Sequence, residues 1–352
     1  MGRDPGPLEL VSGRLSQRAL NRALLARQCL LDRSEASLPD ALEQIAGIQA
    51  QYAPAMYVGL WSRLAAFERD ALTRALEERT VIQATLMRST IHLVAPGDYW
   101  PFAVAVRAAR RTSWLRSGRG FSPAQMAGAA RTLRGKLADG PLTRAQIEEL
   151  VGKDRAPGVG LWIDMVRVPP SGTWNRRRAD LYGLAADWLP AGPPTPAAAV
   201  DHLVTGYLRG FGPATRHDIA SFTGLKIGEL KAALARLDVE RHESEAGDEL
   251  LDVPGAPLPD PDTPAPVRFL PVWDATLLVH ARRTGLLPED LRPRVFSTKK
   301  PHGTPTFLVD GSVAGAWRYD DGKVELEPWT RLDRATRTAV DDEAERLAAF
   351  HA

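Results

Sequence analysis

The sequence predicts a mainly helical α+β fold, built from successive helix–helix–hairpin units and closed by a β-rich C-terminal part. Three observations carry this expectation. Apolar residues recur at helical spacing through the N-terminal two thirds of the chain. β-rich runs follow the helices instead of alternating singly with them. Beyond the Pro-rich connection "APLPDPDTPAPV" the pattern changes to short strands separated by Asp-Gly turns.

Taken in order, "LSQRALNRALLARQCLL" has the spacing of an amphipathic helix, with Ser16 as its N-cap. "SLPDALEQIAGIQAQ" reads as a second helix, opened by Ser37 three residues before Asp40 and closed by Pro54. "FERDALTRALEE" is a third. "TVIQATLM" and "STIHLVA" are strands joined at Arg88. Helices followed by a two-stranded hairpin describe a winged helix, which sets a first unit at residues 14–97.

Residues 98–195 hold a basic helical segment and a second winged unit. Its helix "LTRAQIEELVG" starts with a capping box, Thr143 to Gln146, and ends at Gly152. "LWIDMVRVPP" is a strand, "SGTWNRRR" a turn or wing, and "ADLYGLAADWL" a strand or short helix. "PAGPPTPAAA" is a linker that runs into the next helix. The third unit, 196–255, contains "GPATRHDIASFTGLKIGELKAALARL". There a helix from about Arg216 to Phe222 and another from about Lys226 to Leu237 meet at a turn through Gly224, the helix-turn-helix pattern. In the last part, 263–352, the strands are "VRFLPVW", "TFLVDG", "SVAGAWRY" and "KVELEPW". Asp310-Gly311 and Asp321-Gly322 turn the hairpins. A terminal amphipathic helix spans about Leu332 to Phe350.

Composition narrows the function classes. At 352 residues the chain can form two or three domains, and 44% hydrophobic with 25% charged content is that of a soluble globular protein. The single cysteine, Cys29, excludes an internal disulfide framework and suits a reducing compartment. No apolar run approaches a membrane span, and "MGRDPGPLEL" lacks a signal-peptide core. The cytoplasm is the expected location. Net charge is only +2, but its distribution is uneven. Tyr99 to Ala138 carries seven arginines and Lys136, and no Asp or Glu. Arg176, Arg177 and Arg178 form a second basic cluster, and a third runs from Arg282 to Lys300. Acid collects at Glu243 to Asp262 and near the C-terminus. Such segregation suits an anionic polymer; solvated helix faces give the same pattern.

Common catalytic signatures are missing. The chain has no phosphate-cradling P-loop, no dinucleotide fingerprint and no Cys/His spacing for zinc. His217 and Asp218 stand together at a helix start, where a cap is the expected job. No cofactor or metal is expected.

One short stretch stands apart. "GIQAQYAP", residues 47–54, sets Gln49 and Gln51 two apart. In a helix such residues point about 200° apart, whereas an extended segment puts them on one side.

The runs "ALEQIAGIQAQYAPAMYVGLWSRL", "TLMRSTIHLVAPGDY", "FLPVWDATLLVHARRTGLLP" and "PTFLVDGSVAGAWR" resemble, in order and spacing, the AlkZ/YcaQ-like winged-helix DNA glycosylases. The likeness covers roughly residues 14 to 345. "WNRRRADLYGLAADWL" and "GPATRHDIASFTGL" fit as well. The resemblance implies tandem winged helices with a C-terminal β-rich part, forming a concave cradle for duplex DNA. It implies hydrolysis of the N-glycosidic bond of an alkylated purine. Members carry Gln-x-Gln in the AlkZ-like branch and Gln-x-Asp in the YcaQ-like branch. Gln49-Ala50-Gln51 places this chain with the former, which includes enzymes that unhook interstrand crosslinks made by natural products. Two departures are local: Arg282 and Arg283 stand together where members often have Asp before Arg, and "WDA" replaces "FDN".

A glutamine pair fits such a substrate. Glutamine offers a carbonyl acceptor and two N–H donors but no useful base. A purine alkylated at N7 already carries positive charge and leaves without protonation. What remains is to position a water and to aim dipoles at an oxocarbenium-like sugar. Gln49 and Gln51 are therefore the expected catalytic residues, with Gln51 holding the water and Gln49 assisting it or the sugar cation. No lysine lies near the motif, so the expected enzyme is monofunctional. The expected partner is double-stranded DNA carrying alkylated purines, without a membrane, and the expected state is a monomer.

DNA-binding candidates follow from the basic clusters. Arg88 at its hairpin turn suits a phosphate contact or a plain exposed turn. His92 faces opposite to Ile91 and Leu93, into the cradle or into a structural hydrogen bond. Arg107, Arg110 and Arg111 recur at helical i, i+3, i+4 spacing, with Arg116 and Arg119 beyond them. Arg176, Arg177 and Arg178 belong to a wing, and Lys299 and Lys300 end the third cluster. Asp274 is a turn or cap residue or an aid to the active site. Trp61, Trp100, Trp162 and Trp317 read as core. Two other functions use the same surface without excision: a winged-helix transcriptional regulator and a protein that sequesters a toxin.

Overall fold

A computed structural model describes residues 14–352 apart from 118–119, 190, 279–283 and 297–302. Strand β1 (Arg14–Leu15) leads into helix α1 (Gln17–Arg27), whose first turn is capped by Ser16 Oγ accepting from Ala19 N at 3.0 Å. Helix α2 (Leu38–Gln44) is capped in the same way by Ser37. A short strand, β2 (Ile48–Gln49), then precedes α3 (Ala53–Arg63) and α4 (Arg69–Glu77). Strands β3 (Ile82–Thr85) and β4 (Ile91–Val94) complete a three-stranded sheet in the order β2-β4-β3.

The second helix therefore stops seven residues short of its expected end. Gly47, at φ +79°, breaks it, and a Cβ there would lie 2.9 Å from the Leu93 carbonyl. That close approach lets the chain turn straight into the sheet. Pro54 opens α3 rather than closing α2. It sits in the first turn, where a missing N–H costs nothing.

Helix α5 (Pro96–Arg116) is the longest and packs along α9 (Pro196–Phe211). Between them in sequence lie α6 (Pro123–Leu137), β5 (Leu142–Thr143), α7 (Arg144–Val151), α8 (Ala156–Val159), β6 (Met165–Arg167) and β7 (Leu181–Leu184). The strands form a second sheet, β5-β7-β6. The Thr143–Gln146 capping box is present at the start of α7. After α9 come α10 (Arg216–Thr223), ended by Gly224 in the left-handed region, and α11 (Ile227–Leu234). Asp218 caps α10 together with Thr215, its Oδ2 accepting from Thr215 N at 3.0 Å. Strands β8 (Glu240–Ser244) and β9 (Glu249–Asp252) form a hairpin, and β1 adds to it in parallel.

The C-terminal part holds β10 (Arg268–Leu270), the short helices α12 (Ala275–Leu278) and α13 (Arg292–Val295), and strands β11 (Thr306–Val309), β12 (Ser312–Asp320) and β13 (Lys323–Pro328). Strands β10 to β13 pair in sequence order as an antiparallel sheet. Asp310 and Asp321, both at positive φ before a positive-φ glycine, make its two turns. Helix α14 (Arg334–His351) packs across the sheet through Val340, Ala344 and Leu347.

Two buried ion pairs tie the parts together. Arg27 of α1 meets Asp252 of β9 at 2.6 Å, and Arg63 of α3 meets Asp274 at 2.9 Å. Asp274 also accepts from Thr276 N at 3.0 Å at the start of α12, a cap role. Burial raises the Asp274 pKa, but Arg63 and the Thr276 bonds outweigh it and hold the carboxyl below its usual range. Trp100 and Trp317 are buried, while Trp61 and Trp162 are half-buried under Arg33 and Arg111. Among the described residues no helix is long and apolar enough to cross a membrane.

Candidate active site

The Gln-x-Gln motif begins on the edge strand of the first sheet, with Gln49 the last residue of β2 and Gln51 just beyond it. Ile48 pairs with Leu93 and Gln49 with His92, and Ala50 N donates to the Ile91 carbonyl at 2.7 Å. The strand geometry covers Ile48 and Gln49, and the chain bends at Gln51. Ile48 and Ala50 are buried in the core, whereas Gln49 is half-buried and Gln51 exposed. Both amides are held. Gln51 Oε1 accepts from Ile91 N at 3.1 Å, taking the place of a strand carbonyl. Gln49 Oε1 accepts from Arg88 Nη2 at 3.3 Å. A backbone N–H and a guanidinium can only donate, which fixes each amide with its oxygen toward that partner. Each oxygen keeps a second lone pair.

Arg88 sits in the β3–β4 turn, where Arg88 and Ser89 both take positive φ, 51° and 62°. Two successive non-glycine residues in that region are strained, and the bonds around them hold the turn. Arg88 Nη1 donates to the Phe222 carbonyl at 2.8 Å, and the guanidinium lies 5.0 Å from the Phe222 ring centroid. Its Nη2 also lies 3.3 Å from His92 Nε2. His92 Nδ1 is 3.0 Å from the Thr90 carbonyl. A carbonyl only accepts, so Nδ1 carries the proton and Nε2 accepts from Arg88. Burial, and then the nearby Arg88 charge, lower the His92 pKa to about 3. The ring is neutral and only 2% exposed. His92 is therefore not a DNA-facing residue; it is a buried histidine that orients Arg88. Burial also lowers Arg88, to about 10. Among the described residues no carboxylate pairs with Arg88.

The model of the AlkZ-like DNA glycosylases matches residues 42–350. The chain belongs to that family. As a member it is a DNA glycosylase, an enzyme acting on N-glycosyl bonds. A curated relative from Streptomyces sahachiroi, an interstrand DNA cross-link repair glycosylase, is 23% identical over 359 residues, covering 92% of this chain and 93% of the relative. The solved structure of the Streptomyces sahachiroi DNA glycosylase AlkZ superimposes with a TM-score of 0.80 at 20% identity, over 96% of this chain and 98% of that one. This shows the same fold.

Within this AlkZ-like chain the basic candidates differ in what they offer. Arg176, Arg177 and Arg178 are exposed. Trp174 anchors their loop against Tyr57, His351 and Phe350, with ring centroids 5.5, 5.2 and 5.8 Å away. This brings Arg177 Nη1 within 3.1 Å of the hydroxyl of Tyr52, the residue after Gln51. Arg178 lies 3.1 Å from Asp180. Arg88 touches one end of the motif and Arg177 reaches the other. Arg110 reaches the Arg88 turn, donating to Ser89 Oγ at 3.2 Å. Arg107 instead pairs with Asp164 at 2.7 Å, and Arg111 donates to the Leu161 carbonyl at 2.6 Å beneath Trp162. Their shared helix face is thus largely turned to the protein. Arg116 is exposed, and Arg119, Lys299 and Lys300 lie outside the described residues.

Sequence patterning singles out neither Tyr52, beside the motif, nor Arg167, which reaches the far strand of its sheet. Tyr52 is 40% exposed, and its place beside the glutamines was the available signal. Arg167 in β6 reaches Thr85 of β3 at 2.8 Å, a contact across 82 residues with no local signature.

Proposed function

We propose that this glycosylase releases N7-alkylated, cationic purines from duplex DNA, including purines that a crosslink ties to the opposite strand. The observation that carries the reading is that Gln49 at the end of β2 and Gln51 just beyond it both have their amide oxygens fixed, by Arg88 and by Ile91 N, and that among the described residues no carboxylate or lysine is bonded to either. Such a site supplies acceptors and dipoles but no acid for a neutral base. It therefore selects a leaving group that is already charged. Gln51 holds the attacking water through its second lone pair. Gln49 shares that water or faces the developing sugar cation. Release of the base needs no Schiff base, so the products are the free purine and an abasic site.

The crosslink reading draws on the Streptomyces sahachiroi relative, an interstrand DNA cross-link repair glycosylase, and on the open position of Gln51. A base tied to both strands resists flipping, so a motif at the end of an edge strand, flanked by Arg88 and Arg177, suits attack from a groove. Exposed Arg116 and Arg176 to Arg178 would contact phosphates.

One charge opposes this chemistry in the free protein. Arg88 is a cation beside Gln49, and two unit charges about 7 Å apart at an effective dielectric of about 20 repel by about 2 kcal/mol. Neutral His92 keeps a second charge away. The test is incubation with a duplex carrying one N7-methylguanine and quantification of free base and abasic sites. Binding without release of the base would reject the proposed substrate.

A further inference from the structure

The β3–β4 turn collects more positive charge than its surroundings neutralise. Arg110 of α5 donates to the Thr85 carbonyl at 3.1 Å and to Ser89 Oγ at 3.2 Å. Arg167 of β6 donates to Thr85 Oγ1 at 2.8 Å and to the Ala179 carbonyl at 2.5 Å, with its guanidinium 4.1 Å from the Tyr182 ring centroid. Arg88 completes the group. All three guanidiniums are bound by neutral oxygens, nitrogens and rings, and among the described residues none forms an ion pair. Their neighbours contrast with them: Arg107 is paired with Asp164, and Arg144 with Glu148 at 2.6 Å. Burial depresses the pKa of all three, Arg88 and Arg110 to about 10.

Space for a ligand lies between them. A cavity of about 100 Å³ is lined by Thr85, Arg110, Arg167 and Tyr182, and by Arg107 with the Asp164 carboxylate it neutralises. Beside it a groove of about 480 Å³ runs past Arg88, Ser89, Arg110, Ser113 and Thr223. The two share Thr85, Arg110, Pro157 and Leu161. Neutral acceptors fix a guanidinium's direction without compensating its charge. Three such groups around one turn repel each other and form a fork-lined receptor for an oxyanion. The anion that a DNA glycosylase meets in this position is a backbone phosphodiester.

We propose that Arg88, Arg110 and Arg167 clamp a phosphodiester of the lesion-bearing strand, and that this anion neutralises the cation beside Gln49, making excision conditional on the clamp being filled. The idea rests on the glycosylase role of Gln49 and Gln51 for its second half only. Nonspecific phosphate contacts add affinity in proportion to their number. A clamp coupled to the site changes the rate at saturation and does so at one place on the DNA.

The experiment uses the full chain and a set of duplexes with one N7-methylguanine and a single neutral methylphosphonate, moved linkage by linkage along both strands. Affinity is read by fluorescence anisotropy and base release by single turnover at saturating protein. The expected result is one or two adjacent linkages on the lesion strand where the neutral group weakens binding and slows release by about tenfold or more, the scale of a charge-assisted contact. Arg110→Gln should show that loss on all-phosphate DNA and little further loss at those linkages. Arg167→Gln should point to the same linkages, and Arg110→Lys, which keeps the charge, should retain the wild-type dependence. The proposal is overturned if no linkage stands out in the wild-type protein, or if variant and methylphosphonate losses multiply at every linkage. A protein that binds with the linkage pattern but frees no base retains the clamp and loses the glycosylase reading of the glutamines. Release without the pattern does the reverse.

Discussion

Nη2 of Arg88 lies 3.3 Å from the amide oxygen of Gln49 and 3.3 Å from Nε2 of His92, so one nitrogen joins the turn of the hairpin to the motif on its edge strand. A planar guanidinium can span both acceptors while Nη1 holds the Phe222 carbonyl; an ammonium cannot. Arg88→Lys should therefore lower single-turnover release by about tenfold to a hundredfold while altering DNA affinity much less. Equal losses in rate and affinity would mean that Arg88 serves binding alone.

Gln51 has a structural task as well as its proposed chemical one. Its oxygen satisfies Ile91 N, and Gln51→Ala leaves that donor to solvent or unpaired, at a cost of about 1 kcal/mol. Gln51→Glu keeps an acceptor there and adds negative charge toward the sugar cation. Urea denaturation should show Gln51→Glu close to wild type and Gln51→Ala weaker. Base release should survive in Gln51→Glu and fall in Gln51→Ala.

His92 makes stability depend on pH. Its folded pKa, about 3, lies below its ordinary value of 6.5. The unfolded chain thus binds the proton first, and stability falls as pH drops from about 6.5 toward 3. The slope from this one group approaches about 1.4 kcal/mol per pH unit. His92→Asn should flatten that part of the curve in urea titrations between pH 4 and 7. An unchanged slope would place the histidine in contact with water.

The Arg63–Asp274 pair is closed off from solvent, each side chain being 2% exposed. Asp274→Ala strands a buried guanidinium and should destabilise the protein by about 3–5 kcal/mol in chemical denaturation. A loss under about 1 kcal/mol would show that water reaches Arg63.

Local signals made much of this architecture legible. Ser16, Ser37 and the Thr143–Gln146 box mark their helix starts, and Asp310-Gly311 and Asp321-Gly322 their turns, because each acts within four residues. The second helix ends earlier than its apolar spacing implies, because that spacing continues through Ile45 and Ile48 while Gly47 breaks the backbone between them. The β8–β9 hairpin gave no strand signal: "ERHES" is polar, and its partner β1 lies more than two hundred residues away. At the site, the glutamine pair was visible as a motif. The Asp164 partner of Arg107, the Trp174 anchor under Arg177 and the burial of His92 are tertiary contacts that spacing cannot encode.

The central claim is that two fixed neutral amides suffice to release a base that is already cationic. The most direct measurement is single-turnover release from duplexes holding one N7-methylguanine or one neutral 7-deazaguanine, by wild type, Gln49→Ala and Gln51→Ala, with DNA affinity measured in parallel. Wild type alone should release N7-methylguanine, none should release 7-deazaguanine, and all three proteins should bind with near-equal affinity. Wild-type rates in both alanine variants would contradict it, as would release of the neutral base.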